Sequence, residues 1–434
     1  MSARTSRAAS LRAIPARIAG FFKVLAPGLI TGAADDDPSG ISTYSVAGAS
    51  TGYSMLWLTL ISTPMMAVIQ GMCARIAMVN GEGLAAVMRK RLPIPVAYAL
   101  AALVIVANTF NVGADLGGMG AALATIVPVP VEAGVFLFGV GLMAAQMWLS
   151  YATIARVFKW LTLSLFAYVV TAFVVRPPWP IVLTHLVVPH IAFDSGWLST
   201  MVGVLGTTIT PYLFFWQSAL MVEEEKEQGK TTKASRRGTD GGSVRDMHAD
   251  VNAGMIFSNL VAFFIIVTTS ATLGAHGKHD IATAQQAAEA LRPLAGPFAA
   301  LLFTLGMVGT GILAVPVLAG SSAYVVAQTF QFREGLNEKP HRAPQFYGVI
   351  AAGLSVGIGM NLFHVDPIRA LFWSAVLNGV AAVPLIVVIV VFASNATIMG
   401  QWRSSPLARA WGWGTAALMA AATAGMFYFT IKGA

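Results

Sequence analysis

Long apolar runs, separated by short polar connections, follow one another along almost the whole sequence. About 20 apolar residues span the hydrocarbon core of a bilayer as a helix, and eleven runs are long enough to do so. Their approximate bounds are 24–48, 53–79, 96–124, 131–150, 152–175, 197–222, 251–275, 297–328, 346–364, 368–394 and 407–431. A membrane β-barrel would instead show alternating segments of about ten residues. The pattern therefore predicts an all-α integral membrane protein.

Composition supports the same class. Of the 434 residues, 56% are hydrophobic and only 11% are charged, whereas soluble domains carry about 25% charged residues. The mean hydropathy is +0.70. The single cysteine, Cys73, excludes an internal disulfide.

The distribution of basic residues predicts the orientation. With the N-terminus in the cytoplasm, all but five of the 27 Lys and Arg residues fall on the cytoplasmic side, as the positive-inside rule requires. The exceptions are Arg176, Lys278, Arg292, Arg369 and Lys432. We expect a plasma (inner) membrane protein whose C-terminus lies on the opposite side. The net charge of +8 then reflects topology and not a nucleic-acid partner.

The predicted organisation is a basic cytoplasmic tail, residues 1–23, followed by a single transmembrane domain, residues 24–434. The Arg- and Ser-rich tail also has the composition of an organelle transit peptide. The largest connection, residues 223–250, is charged and Gly-rich, which is typical of a solvated loop. The stretch "HGKHD" at 276–280 is likewise interpreted as a solvated cluster on an outer loop.

Two of the runs carry matching interruptions. The first contains "GAADDDPSG" and the sixth contains "GTTITPYLF", each with glycine, small polar residues and a proline. Such breaks in corresponding helices are typical of inverted-repeat transporters, which bind substrate at the breaks. We predict a LeuT-like fold with repeats at about 24–175 and 197–394 and an extra helix at about 407–431. Ordinary proline kinks are the alternative.

Three consecutive aspartates, Asp35, Asp36 and Asp37, occupy the first interruption. A charged side chain at the bilayer centre costs at least about 2.5 kcal/mol, and no Lys or Arg lies deep within a run to neutralise it. Carboxylates beside unwound backbone carbonyls suit a divalent cation. We therefore predict a cation site, with Asp37 beside the break as the principal ligand. Asp35 and Asp36 could instead border an aqueous vestibule.

At these residues the sequence resembles the Nramp divalent-metal transporters, and within that superfamily the Nramp-related magnesium transporters. The resemblance runs from "APGLITGAADDDPSGISTYSVAG" through "GTTITPYLFFWQSALMVEEE" to "GMVGTGILAVPVLAGSSAYVVAQ". It implies that Asp37 is the metal-binding aspartate and that Thr207 offers a backbone carbonyl. Gly40 stands where the family has an asparagine ligand, and Thr210 stands where it has a methionine.

The proton route of the family is also altered. Tyr212 and Gln217 occupy positions where the family has histidines, and Val112 replaces an acid. Asp115 retains the other acid of that route. Asn378 could reach the central site from the opposite side or form a helix–helix hydrogen bond. All seven histidines are expected in loops or at the end of a run, so a proton route would depend on carboxylates alone.

Thioether sulfur favours transition metals, whereas an oxygen-only pocket suits Mg²⁺. We therefore predict uptake of hydrated Mg²⁺, with Mn²⁺ as a further substrate, by alternating access without obligatory proton coupling. The predicted metal site comprises Asp37, Asp36, Thr207, Thr210 and Gly40. The predicted pathway residues are Asp35, Tyr212, Gln217, Asp115 and Asn378. The expected partners are the divalent ion and the lipid bilayer, with no cofactor and a monomeric state.

Three alternatives remain. The first is a proton-coupled Mn²⁺/Fe²⁺ transporter, and the second is a Na⁺-coupled amino-acid carrier of the same architecture. The third is a Mg²⁺-dependent membrane prenyltransferase with an Asp-rich motif. That enzyme would need a second acidic cluster and basic contacts to pyrophosphate, which the runs lack.

Overall fold

The structure is a computed structural model that describes residues 32, 34–149, 153, 161–363 and 365–433. Within these residues the secondary structure is entirely helical. The predicted basic tail and most of the start of the fifth predicted run lie outside the described residues.

Helices account for nearly all of the described chain. Those of the first half are α1 (Pro38–Thr51), α2 (Leu56–Asn80), α3 (Leu84–Arg91), α4 (Ile94–Ala124), α5 (Val131–Trp148), α6 (Phe166–Val175) and α7 (Trp179–Val187). Those of the second half are α8 (Ser195–Thr208), α9 (Pro211–Glu227), α10 (Lys233–Arg236), α11 (Gly241–Thr272), α12 (Ala284–Ala288), α13 (Arg292–Ala295), α14 (Ala299–Phe330), α15 (Pro344–Met360), α16 (Pro367–Ser394), α17 (Ala396–Met399) and α18 (Pro406–Lys432).

The predicted runs reappear as these helices. Nine helical segments of the described chain are long and apolar enough to cross a membrane, and Leu163–Val175 forms a shorter apolar helix. Two predicted runs, 24–48 and 53–79, join in one segment, Pro38–Asn80. The fifth run is represented by the shorter helix. The predicted all-α membrane class is confirmed.

Proline begins five of the long helices. It occupies the first turn of α1, α9, α15, α16 and α18. The first turn of a helix leaves its N–H groups without helical partners, so the missing proline N–H costs nothing there. Side chains cap several of these starts, for example Asp366 before α16 and Ser405 before α18. The prolines in the two interruptions therefore mark new helix beginnings.

Both predicted breaks are present. Asp35 is helical and Asp36 lies in a bend, while Asp37 is extended and α1 begins at the next residue. In the second repeat α8 ends at Thr208, and Thr210 is extended with a ψ of 136° before α9 begins. Helix α1 packs against α8, α11 and α16, so the breaks lie inside the bundle.

The prediction of a solvated loop at 223–250 is wrong in part. Helix α9 continues to Glu227 and α11 begins at Gly241, so both ends of the segment 223–250 are helical. Glu223, Glu225 and Asp250 are each only 8% exposed, because the two helices continue beyond their apolar runs and turn one face inward. His248 also lies inside α11 and not in a loop.

The loop between α14 and α15 contains a titratable group outside the membrane spans. Burial raises the pKa of Glu334 to about 7 from an ordinary value of 4.5, and the nearby Glu223 adds to the rise. Oε1 of Glu334 accepts a hydrogen bond from Gln328 (3.3 Å). Within the described residues its Oε2 has no partner.

We expect Glu334→Gln to stabilise the protein at pH 8 and to have little effect at pH 5. Between about pH 4.5 and 7 the folded protein holds a proton that the unfolded chain releases, so the free energy of unfolding falls as the pH rises through this window. Removing the carboxylate should recover on the order of 2 kcal/mol at pH 8. Thermal unfolding in detergent measures this shift. The control is Glu338→Gln, in the same loop and ion-paired with Arg333; an equal gain there would contradict the prediction.

Candidate functional site

The Asp37 carboxylate lies where the two helix breaks meet. Its Oδ1 accepts hydrogen bonds from the Ser39 hydroxyl (2.6 Å) and from the backbone N–H of Gly40 (2.7 Å). Through the second of these bonds Asp37 caps α1. The Tyr212 hydroxyl, from the first turn of α9, lies 3.5 Å from Oδ2. It also donates to the backbone carbonyl of Ala34 (3.0 Å), on the other side of the first break. One phenol therefore connects the two broken helices.

Asn111 on α4 links this carboxylate to a second one. Its Nδ2 donates to Asp37 Oδ2 (3.0 Å) and lies 3.3 Å from Asp115 Oδ2, one turn further along α4. Its Oδ1 accepts from Asn378 on α16 (3.2 Å). The predicted residues Asp115 and Asn378 are thus joined to Asp37, and Asn378 makes the helix–helix hydrogen bond that was one of its two expected roles.

The other two aspartates face a different helix. The Ser258 hydroxyl on α11 lies 2.7 Å from Asp35 Oδ2 and 3.1 Å from Asp36 Oδ1. A hydroxyl has one proton, so it donates fully to only one of these carboxylates at a time. The three aspartates are therefore divided, with Asp37 directed to α4 and α9 and the other two directed to α11.

These carboxylates are buried without a basic partner. Asp35, Asp36 and Asp115 are 0% exposed and Asp37 is 1% exposed. No ion pair found among the described residues involves any of them. Among the predicted site residues, six buried oxygen atoms have no hydrogen-bond partner within the described part of the chain: Asp35 Oδ1, Asp36 Oδ2, Asp115 Oδ1, Thr207 Oγ1, Thr210 Oγ1 and Asn378 Oδ1. Each such atom costs about 1–3 kcal/mol, so a cation, a proton or water is needed at this site.

Gly40 allows a close approach between the two breaks. A Cβ atom at this position would lie 3.2 Å from the Thr207 hydroxyl and 3.5 Å from Asp37 Oδ1. Thr207 belongs to the last turn of α8, whose final carbonyls have no helical partners. Thr210 immediately precedes α9 and is 0% exposed. The predicted ligand positions 37, 40 and 207 therefore adjoin one another.

Gln217 is not part of this cluster. It lies on α9 more than a turn beyond Tyr212 and is 3% exposed. No hydrogen bond joins it to the central carboxylates in the described part of the chain. Nor do the described residues include three or more His, Cys, Asp or Glu side chains placed to hold one metal ion. A cation at the breaks would be bound by one or two carboxylates together with neutral oxygen atoms.

Asn111 and Ser258 were not predicted. Asn111 precedes Asp115 by one helical turn in an apolar run, and this polar pair on one helix face was a usable signal. Ser258 is one small polar residue in an apolar run, and nothing in its local sequence distinguishes it from a packing residue.

Comparison with known sequences identifies the family. A profile described as natural resistance-associated macrophage protein-like, Nramp, matches residues 28–429. The chain belongs to the Nramp family. Its resemblance to that family is thereby confirmed, and membership leaves no support for the amino-acid carrier or the prenyltransferase.

Curated Nramp relatives align over most of the chain. The divalent metal cation transporter MntH of Aeromonas hydrophila is 27% identical over 417 residues, which cover 92% of this chain and 94% of the relative. MntH of Deinococcus radiodurans is 30% identical over 319 residues, which cover 70% of this chain and 69% of the relative. These relatives are named as transporters and not as enzymes.

Solved structures share the fold. A manganese transporter of Eremococcus coleocola, in complex with an aromatic bis-isothiourea compound, superposes with a TM-score of 0.72 at 18% identity. The match covers 93% of this chain and 85% of that one. The nucleobase-cation-symport-1 family transporter MHP1 superposes with a TM-score of 0.56 at 12% identity. This match covers 94% of this chain and 93% of that one. The predicted LeuT-like architecture is confirmed.

Proposed function

We propose that this Nramp protein transports divalent metal cations across the plasma membrane by alternating access, with Asp37 as the principal ligand. One observation carries the proposal: a buried carboxylate lies at the junction of two helix breaks, with no basic partner in the described region. Discontinuous helices of this kind supply carbonyl oxygens and helix ends to a substrate ion. The names of the relatives support the same class of substrate.

The surroundings of Asp37 suit a change of ligand. Its Oδ1 is held by the first turn of α1, whereas its Oδ2 is held by the Asn111 amide. An arriving cation would displace the amide from Oδ2 and keep the cap intact. The Thr207 hydroxyl lies beside Gly40, and this hydroxyl and the last carbonyls of α8 would complete an oxygen-only shell.

A cavity of about 760 Å³ bordered by α1, α8 and α16 offers a route to the site. Thr200 lines this cavity, and Thr207 lies seven residues further along α8, about 10 Å at 1.5 Å per residue. The carboxylates beyond it are buried, which corresponds to a closed site. His279 and Asp280, from the predicted outer cluster, also line the cavity.

Mn²⁺ is the first candidate substrate. The comparisons name manganese and divalent metal transporters, and as a whole they fit the Mn²⁺/Fe²⁺ alternative better than the magnesium prediction. Carboxylate, carbonyl and water ligands suit Mg²⁺, Ca²⁺ and Mn²⁺ alike. Mg²⁺ is a second candidate, which Gly40 and Thr210 favour because they supply neither an amide nor a thioether.

Uptake without obligatory proton coupling remains our proposal, although the comparisons lend it no support. Tyr212 is the aromatic residue beside Asp37, and a phenol does not titrate near neutral pH as an imidazole does. The coupled alternative has support from Asn111, which connects Asp37 with Asp115 by hydrogen bonds.

Uptake into proteoliposomes tests the substrate and the coupling together. We expect Mn²⁺ uptake that increases with an inside-negative potential, since each divalent charge moved is worth about 4.6 kcal/mol per 100 mV, twice the single-charge value. Excess Mg²⁺ should compete, and the internal pH should stay constant. Acidification that follows Mn²⁺ and disappears in Asp115→Asn would establish the coupled alternative. An absence of uptake of any divalent cation would refute the function itself.

A further inference from the structure

Contacts between α1 and α8 separate the 760 Å³ cavity from the helix breaks. Thr51 on α1 and Thr200 on α8 both line this cavity. Tyr44 lies seven residues closer to the break along α1, and Thr208 lies eight residues closer along α8, which is about 10–12 Å at 1.5 Å per residue. Tyr44 and Thr208 therefore lie between the cavity and the Asp37 carboxylate.

The Tyr44 phenol joins α1 to the end of α8. Tyr44 is 0% exposed, and its hydroxyl lies 3.2 Å from the hydroxyl oxygen of Thr208. The Thr208 hydroxyl donates its single proton to the backbone carbonyl of Val204 (2.5 Å). Tyr44 is therefore the donor, and Thr208 accepts its hydrogen bond.

The ring of Tyr44 extends toward the ion site. Aromatic side chains of a helix point back over the residue four positions earlier, which for Tyr44 is Gly40. A Cβ atom at Gly40 would lie 3.5 Å from Tyr44 Cε2 and 3.2 Å from the Thr207 hydroxyl. The ring thus adjoins the same small space as the proposed ligands Asp37 and Thr207.

A second contact between the same two helices lies beside the phenol. A Cβ atom at Gly203 would lie 3.3 Å from the methyl group of Thr43, so α1 and α8 are in close contact at this level. Thr43 precedes Tyr44 directly, and Gly203 lies between Thr200 and Thr207 on α8. An ion could pass from the cavity to the break along these helices only if they moved apart here.

We propose that Tyr44 is the gate between this cavity and the ion site, closed by its hydrogen bond to Thr208. The proposal rests on the proposed transport function and assigns it a further residue. The net contribution of one hydrogen bond corresponds to about two- to tenfold in an equilibrium constant. Such a bond favours the closed arrangement and can still break in every transport cycle.

Thiol labelling in sealed membrane vesicles tests the gate without any transport. Thr207→Cys reports on the closed site, and Ser199→Cys reports on the cavity, which Ser199 lines. A membrane-impermeant, positively charged methanethiosulfonate is added on the side from which Ser199→Cys reacts, which the predicted topology makes the outer side. We expect Tyr44→Phe, which keeps the ring and loses the hydroxyl, to accelerate labelling of Thr207→Cys about two- to tenfold. Labelling of Ser199→Cys should not change.

Removing the other partner should have the same effect. Thr208→Val should accelerate labelling of Thr207→Cys about as much as Tyr44→Phe does, and the double variant should gain little more, because both changes remove one hydrogen bond. The matched control is Thr200→Val. It removes a hydroxyl of α8 that bonds to the carbonyl of Gly196, and it should leave the labelling rate unchanged.

The native thiol distinguishes gate opening from general loosening. Cys73 is 0% exposed and should stay unlabelled in every variant, as peptide mass spectrometry can verify. Unchanged labelling of Thr207→Cys in both Tyr44→Phe and Thr208→Val would overturn the gate, and so would a parallel rise at Cys73. Labelling requires no ion movement. Normal transport by Asp37→Asn would therefore be a failure of the proposed function, and the labelling rates would still decide the role of Tyr44.

Discussion

Asp37→Asn is expected to abolish divalent cation uptake while the protein stays folded. Asparagine caps a helix about as well as aspartate, so its Oδ1 can still accept the Gly40 N–H and preserve the start of α1. The negative charge that attracts the ion is lost. A decrease of at least about a hundredfold, or 2.7 kcal/mol, is expected in radiotracer uptake.

The matched control is Asp366→Asn. Asp366 caps α16 through the N–H groups of Ile368 and Arg369 and lies away from the breaks, so its substitution should leave uptake largely intact. Asp36→Asn should give a smaller loss than Asp37→Asn, because Asp36 faces Ser258. Normal uptake by folded Asp37→Asn protein would refute the central assignment.

Installing the two ligands that the site lacks should change its selectivity. Gly40→Asn adds an amide and Thr210→Met adds a thioether, so uptake of Cd²⁺ or Mn²⁺ relative to Mg²⁺ should rise about tenfold in the double variant. The new Cβ at position 40 meets only the Thr207 hydroxyl within 3.4 Å, and a side-chain hydroxyl can turn away. The Thr210 hydroxyl has no hydrogen-bond partner among the described residues, so its removal breaks no hydrogen bond with them.

Competition assays with all three cations measure this ratio. Thr210→Val is the control, because it removes the oxygen and adds no sulfur; it should not produce the gain. If the folded double variant shows the wild-type ratio, the ligands at these two positions do not select the substrate.

The sequence was sufficient to predict the fold and the two helix breaks, because both depend on local signals. Proline after three buried acids marks the first break, and Pro211 marks the second. The partners of the carboxylates were harder to predict, since Asn111 and Ser258 matter only through the helices that face them. The same limit explains residues 223–250. A charged segment is typical of a solvated loop, and its burial depends on α9 and α11 both packing against α2.

The amide of Asn111 has a consequence for the return of the empty carrier. Two buried carboxylates, Asp37 and Asp115, share the one neutral donor of Asn111, and a cation that binds Asp37 Oδ2 would have to displace it. The hydrogen bond from Asn111 would then hold the Asp37 carboxylate in position when no ion is bound. The same hydrogen bond would be weak enough for an arriving ion to replace it. The strength of this one amide would set the balance between how tightly the protein holds its ion and how readily it resets for the next cycle.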